Sequence, residues 1–496
     1  MRTGATLERE LKLEAALDFE LPDLSGLAGD PERLPTQELR TSYFDTADYR
    51  LWRQGMTLRL RSGADPEGRA IWTWKHAQRQ GGPTLDRTEE SWAGEADRIP
   101  AEVTDLLRGV IRRAALEKVA DLVTTRRRLL FRDADGAPSV ELDDDTVTVV
   151  SGGRDGTRFR ELELELHGGR AVPDVLLRRL RGAGAHPERK PKLARAVGLP
   201  VVEVKRARKP TLGEALRRRI GELVRDLVDN DVMLRRHPVN PPIDAVHDAR
   251  VATRRLRSDL KTFAPALDPV WTRHTRDELD WLGSLLGRVR DIDVLAPKLK
   301  ADRDDRASDS DGKAVLRSGL THQRRVAGRE LAEALGSPRY LDLLDRLNAA
   351  SRQPPFSGGL ADKPARRTLP KLVHRTWRAL ARAVRDAGRH PTDTQLHRVR
   401  IRAKELRYAS EAAAPLIGPP ARRLARAAEG LQGVLGDHRD AVAAEAWLRD
   451  EASSPMVSFV AGRLSAQEHE RQRQLRRAWP KAWRRLEHPR LRRWLR

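Results

Sequence analysis

Two stretches far apart in the chain alternate acidic residues with leucine. Near the start, Glu8, Glu10 and Lys12 are interleaved with Leu7, Arg9, Leu11 and Leu13. Much later, Glu161, Glu163 and Glu165 are interleaved with Leu162, Leu164 and Leu166. In an extended strand, residues two apart share a face, so each stretch gathers its carboxylates on one side. Carboxylate oxygens hold hard divalent cations such as Mg²⁺ or Mn²⁺. Cationic residues alternate in the same way. Thr57, Arg59 and Arg61 lie opposite Met56, Leu58 and Leu60; Thr73 and Lys75 lie opposite Trp72 and Trp74; Arg87 shares a face with Glu89. Guanidinium and ammonium groups hold phosphate oxygens. Both signs on one face suit a metal-bridged phosphate: the metal offsets charge and helps generate an attacking water, while the cations stabilise the leaving phosphate.

The elements that must position these groups are strands. Gly, Pro and Asp clusters at 63–68, 80–86 and 151–156 punctuate short alternating segments through residue 200. Val140 and Leu142 oppose Glu141, Asp143 and Asp145. The plainer reading of any one strand is a sheet packed on one side with its charges in water. Repetition over at least six strands favours a sheet closed with the charged face inward, which makes a polar tunnel.

The order of these segments resembles the CYTH family, the triphosphate tunnel metalloenzymes. The resemblance runs through Glu8-x-Glu10-x-Lys12, Tyr43-Phe-Asp-Thr46, Leu58-Arg-Leu-Arg61, Thr73-x-Lys75, Arg87-x-Glu89, an arginine pair at 126–128, Glu141-x-Asp143 and Glu161-x-Glu163. It implies an eight-stranded tunnel with metal-dependent triphosphate hydrolysis, in which Glu8, Glu10 and Lys12 are catalytic. Glu8, Glu10, Glu161 and Glu163 would sit near the metal. Lys12, Arg59, Arg61, Lys75, Arg87 and Arg126 would contact phosphates, with Arg128 an alternative to Arg126 on the same face. Where the family often has a Ser-Lys pair, this chain reads Arg189-Lys-Pro-Lys192; on the resemblance Lys192 would carry the lysine role, with Pro191 in place of the serine.

After residue 212 the periodicity becomes helical. At about 100° per residue, His247, Arg250, Arg254, Arg257 and Lys261 fall in a stripe roughly 80° wide. Leu256, Leu260 and Phe263 lie opposite. His397, Arg400, Lys404 and Arg407 repeat the stripe 150 positions on, with Glu411 where Lys261 would recur. A block from Leu282 to Asp291 recurs from Leu431 to Asp440 at an offset of 149, carrying Arg290 and Arg439. Like charges at i,i+4 repel, so such stripes suit a polyanion; Arg290 and Arg439 read equally as phosphate contacts or as links between helices. A leading histidine adds pH sensitivity. The doubled His-x-x-Arg pattern resembles the CHAD domain over roughly 212–490, which implies inorganic polyphosphate bound in a basic cleft between two halves.

The charge distribution agrees. Residues 1–200 carry 33 Lys and Arg against 34 Asp and Glu, and the rest of the chain carries 62 against 38. The expected architecture is an α+β two-domain chain. A closed antiparallel β tunnel or barrel with flanking helices spans 1–200, and a basic linker spans 201–211. An all-α domain of two repeated helical bundles spans 212–490, its halves at about 212–345 and 365–490. With 0 Cys the chain has no disulfide or thiolate metal site. The charged N-terminus lacks a signal-peptide core, and no stretch approaches the roughly 20 apolar residues of a membrane helix. A cytoplasmic protein is expected, with association to polyphosphate granules as an extension. A binding-only protein with a degenerate tunnel is the second reading. Nucleic-acid binding is the third and is disfavoured, because 4% aromatics leave little for base stacking.

Overall fold

A computed structural model of the chain describes residues 6–26, 31–62, 70–77, 85–133, 135–167, 174–188, 190–200, 209–299, 310–452 and 454–495. The chain divides into two compact units, residues 1–205 and 206–496.

The first unit is built on strands β1 (Thr6–Ala15), β2 (Glu32–Asp45), β3 (Met56–Arg61), β4 (Ala70–Ala77), β5 (Leu85–Gly94), β6 (Glu117–Arg132), β7 (Pro138–Ser151), β8 (Arg158–Leu166) and β9 (His186–Pro187). Its helices are α1 (Arg50–Arg53), α2 (Ala101–Ile111), α3 (Asp174–Gly182) and α4 (Lys192–Val197). The strands form one antiparallel sheet in the order β5-β4-β3-β2-β6-β7-β8-β1-β9, and β5 also pairs with β1. The β5–β1 register runs from Thr6 opposite Glu89 to Glu10 opposite Leu85. On its other edge β1 sets Lys12 opposite Glu163 of β8.

Alternation sorts the side chains as the sequence requires. One face of β1, β7 and β8 contributes Leu11, Leu13, Leu142, Leu162 and Leu164, which pack with Leu176 and Leu180 of α3. Each such leucine, fully buried, contributes about 1.5–3 kcal/mol. Trp72 and Trp74 are buried on the apolar side of β4, and Trp72 Nε1 donates to the Glu95 carbonyl at 2.9 Å. The other face is charged along its middle and becomes apolar at one end. There Tyr43, Ala120, Leu122, Val147 and Phe159 pack against Leu193 and Ala196 of α4. That short helix ends at Gly198, whose φ of 72° is left-handed and favours glycine.

The second unit is helical: α5 (Leu212–Arg236), α6 (Ile243–Thr262), α7 (Pro269–Leu295), α8 (Ser310–Gly336), α9 (Pro338–Arg352), α10 (Ala365–Ala387), α11 (Asp393–Ile417), α12 (Pro419–Asp450), α13 (Pro455–Leu486) and α14 (Pro489–Arg492). Capping boxes at Thr211–Glu214 and Thr392–Gln395 satisfy orphan N–H groups and start α5 and α11. Successive helices pack in sequence from α5 to α9 and from α10 to α13, and α6 also packs against α11. Residues 237–242, 353–364 and 388–392 lie between helices. Ser310, Asp311 and Gly312 belong to α8; residues 301–309 lie outside the described set. Trp483 stacks on Trp377 at 5.5 Å, so this tail tryptophan packs within the unit. No helix among the described residues is long and apolar enough to cross a membrane.

Candidate functional site

On the charged face of the first unit, carboxylates and cations are brought into direct contact. Lys12 pairs with Glu163, and its Nζ lies 3.7 Å from Glu161 and 3.8 Å from Glu10. Arg87 Nη1 lies 2.7 Å from Glu10. Lys75 Nζ lies 2.6 Å from Glu89, and Arg59 Nη2 lies 3.9 Å from the same carboxylate. Arg126 grips Asp145 bidentately, with Nε at 2.8 Å and Nη2 at 2.7 Å. It also pairs with Asp143 and reaches Glu163 at 3.1 Å. Lys192 converges on three carboxylates: Asp145 and Glu161 at 2.8 Å and Glu163 at 2.9 Å.

The arginine alternatives are now separated by their partners. Arg126 faces the Asp143, Asp145 and Glu163 cluster, whereas Arg128 Nε donates to Glu141 at 2.6 Å. Lys192 is the first residue of α4. Pro191 before it caps the helix without a side-chain hydrogen bond. Arg61 has no carboxylate partner among the described residues. The neighbouring Arg59, then burial and Arg126, pull it down to about 10. The Glu8 side chain lies outside the described residues, although its backbone pairs with Arg87.

Burial tunes the acids unequally. For Glu163, burial raises the carboxyl but is outweighed by Lys12, Lys192 and Arg126, which hold it well below the usual range. For Glu161 burial wins over Lys192 and Lys12, and the carboxyl is pushed up. Burial, with Asp145 and Glu141 nearby, raises Asp143 to about 7 despite Arg126. Asp143, Asp145 and Arg195 were not in the expected site. Strand alternation from Glu141 already puts the two aspartates on the right face. Arg195 carries no comparable pattern; α4 turns it toward Glu161, with Nη1 3.6 Å from that carboxylate.

As the side chains stand, no three Asp, Glu or His among the described residues are gathered as a metal cluster. The donor chemistry nonetheless fits a hard cation. Glu161 Oε2 and Asp143 Oδ1 are buried carboxylate oxygens without a hydrogen-bond partner, the donor type that Mg²⁺ and Mn²⁺ favour.

In the second unit the stripes on α6 and α11 divide into neutralised and unpaired cations. Arg257 pairs with Asp280, Lys261 with Glu405, and Arg407 with Glu411 and Glu429. Arg250 Nη1 lies 2.9 Å from Asp291, so this aspartate ties α7 to the stripe. Arg254 and Lys404 have no carboxylate ion pair among the described residues, and Nε of Arg254 and of Arg400 is buried without a hydrogen-bond partner. Burial, then Arg254, Arg400, Arg250 and Arg257, pull the Lys404 ammonium down to about 7. Burial and arginines also lower both histidines: Arg290 and Arg254 act on His247, and Arg400 and Arg439 on His397. The two copies share a contact. Gly287 lies against the Arg250 guanidinium and Gly436 against that of Arg400, where a Cβ would come to 3.5 Å and 3.6 Å.

Comparison with known proteins matches the CYTH domain at residues 6–184 and the CHAD domain at 218–449. Two Mycobacterium tuberculosis proteins, Uncharacterized protein MT2285 and Uncharacterized protein Rv2226, are each 30% identical, covering 94% of this chain and 94% of theirs. The chain belongs to the CYTH–CHAD family. Among solved structures, PptA from Streptomyces chartreusis covers 55% of this chain at 23% identity and 99% of its own, with a TM-score of 0.46. The CHAD domain from Ricinus communis covers 56% of this chain at 26% identity and 92% of its own, also at 0.46. A Hippeastrum putative adenylyl cyclase, described as having a dominant triphosphatase activity, covers 40% of this chain at 17% identity and 100% of its own, at 0.26.

Proposed function

We propose that the CYTH–CHAD chain hydrolyses inorganic triphosphate or a related triphosphate compound in its first domain, with a divalent metal, and binds inorganic polyphosphate with its second. The observation that carries the first half is the buried mixture of unpartnered carboxylate oxygens and clustered cations on a single sheet face. The β5–β1 pairing supports reading that sheet as a closed tunnel, with the apolar end against α4 as its floor. In this reading Glu10, Glu161 and Glu163, joined by Glu8, hold Mg²⁺ or Mn²⁺, and Asp143 adds a further donor. The metal would offset phosphate charge and help generate the attacking water. Lys12, Arg59, Arg61, Lys75, Arg87, Arg126 and Lys192 bind and orient the phosphates and stabilise the leaving group.

Substrate does part of the work of gathering the acids. Lys12, Arg126 and Lys192 now neutralise them. A triphosphate offers those cations better partners, which frees carboxylate oxygens for the metal. This exchange accounts for a donor set of the right chemistry that is not gathered as a cluster among the described residues. The test is phosphate release from tripolyphosphate, ATP and long-chain polyphosphate, with Mg²⁺, Mn²⁺ or EDTA. Metal-dependent release from tripolyphosphate supports the reading, and no release under any condition rejects it.

For the second domain, the carrying observation is the run of unpaired cations on α6 and α11, helices that pack together. Arg254, Arg400 and Lys404 lead the polyphosphate contacts, with His247, His397, Arg250, Arg290 and Arg439 around them. Arg257, Lys261 and Arg407 exchange their carboxylates for phosphate or stay as the rim. A parallel salt titration against polyphosphate and DNA separates this reading from nucleic-acid binding. A cytoplasmic location and association with polyphosphate granules follow from the same reading.

A further inference from the structure

Beside α4, within the first unit, lies a cavity of about 360 Å³. It is walled by the turn before β8, the start of β8 and the chain flanking α4. Arg154, Arg158, Lys190 and Arg195 line it, together with Glu14 and Glu188. The acids are engaged: Glu14 lies 3.7 Å from Arg195, and Glu188 accepts the backbone N–H of Lys190 at 2.8 Å. Among the described residues, Arg154, Arg158 and Lys190 have no carboxylate partner. The cavity is of ligand-binding size, and its unpaired charge is cationic.

Backbone geometry holds the cations around it. Gly198 is in the left-handed region, and the Arg154 side chain lies across it; a Cβ there would come 3.0 Å from Arg154 Nε. Arg195 spans the wall. Its guanidinium sits 4.1 Å over the Phe159 ring, with Nη1 turned to Glu161 at 3.6 Å and Nη2 to Glu14 at 3.7 Å. Three arginines and a lysine around one cavity suit an anion of two or more charges whose oxygens take forked N–H donors, which is phosphate chemistry.

We propose that this cavity is a second anion site, separate from the tunnel, that binds a short phosphate oxyanion such as pyrophosphate, with Arg195 shared between that anion and Glu161. An anion in the cavity competes with Glu161 for Arg195 and so changes the charge felt at the metal side of the tunnel. The site does not depend on whether the tunnel hydrolyses its ligand.

Residue-resolved modification of the full chain by phenylglyoxal, read by peptide mass spectrometry in EDTA, tests it. Pyrophosphate slows modification of Arg154 and Arg158 about tenfold when present at about ten times its Kd, because reaction follows the unliganded fraction. Potassium chloride at matched ionic strength does not. Protection weakens in Lys190→Ala, an exposed position where folding is unaffected, and survives in Arg61→Met, which weakens the tunnel. Equal rates in pyrophosphate and chloride, or protection lost in Arg61→Met, would overturn the site; equal protection by sulfate would overturn its phosphate class.

Discussion

Lys192 Nζ and Glu161 Oε1 lie 2.8 Å apart, both side chains buried and each from a different part of the first domain. One opens a six-residue helix and the other sits mid-strand in β8. The pair joins α4 to the acidic face of the sheet, and the same ammonium also serves Asp145 and Glu163.

Lys192→Met leaves these carboxylates short of one cation. Breaking a buried pair by removing one partner costs about 3–5 kcal/mol. Urea denaturation in EDTA is expected to show that loss, and Mn²⁺ to recover part of it, because a cation bound to the folded state stabilises it. A loss that Mn²⁺ leaves unchanged would mean that the carboxylates do not take a metal.

Arg126→Lys keeps the charge and removes the fork that holds Asp145 through two nitrogens. Hydrogen bonds to charged groups contribute about 1.5–3 kcal/mol, so kcat/KM for tripolyphosphate is expected to fall by about tenfold or more. Arg128→Lys, which alters the Glu141 contact, is expected to cost less. Steady-state kinetics on the two variants checks the order.

The strand face was readable because alternation is a strict rule. Glu10, Lys12, Lys75, Arg126, Glu161 and Glu163 meet because each keeps its parity along its strand. Asp143 and Asp145 share the charged face with Glu141 by the same alternation and were equally readable, though the resemblance assigned neither of them a role. Arg195 was not readable, since its position depends on how α4 docks on Phe159 and no local pattern records that. In the helical domain the stripe geometry was legible at 3.6 residues per turn. The division into paired and unpaired cations was not, because the partners Asp280, Glu405 and Glu429 come from other helices, which the stripe does not predict. Lys261 is the clearest case: it reads as a stripe member and is held by Glu405.

Arg254→Ala and Arg400→Ala are each expected to weaken polyphosphate binding at low salt. Each should also flatten the dependence of log K on log salt by about 0.7, the value for one contact on a single-stranded polyanion. Arg257→Ala, whose charge already meets Asp280, is expected to change both less. Filter binding across a salt series measures the slopes, with circular dichroism as the control for folding.

Polyphosphate binding is expected to take up protons. Burial and the surrounding arginines bring Lys404 from 10.5 to about 7, and a bound polyanion reverses the repulsion. Affinity therefore falls as pH rises from about 7 to about 9, and Lys404→Met removes that part of the pH dependence. His247 and His397, lowered from 6.5, add a second fall at more acidic pH. For folding alone the sign is opposite. Between the two Lys404 values the unfolded chain binds more protons, so stability rises with pH across that window. Calorimetry at pH 8 in buffers of different ionisation enthalpy counts the protons directly.

The most direct measurement is orthophosphate release from tripolyphosphate by the wild type and Glu10→Ala, each with Mg²⁺, with Mn²⁺ and with EDTA. The account predicts metal-dependent release by the wild type that is lost in EDTA and in Glu10→Ala while polyphosphate binding by the helical domain is unchanged. Wild-type release that is absent under every condition, or that persists undiminished in Glu10→Ala, would contradict it.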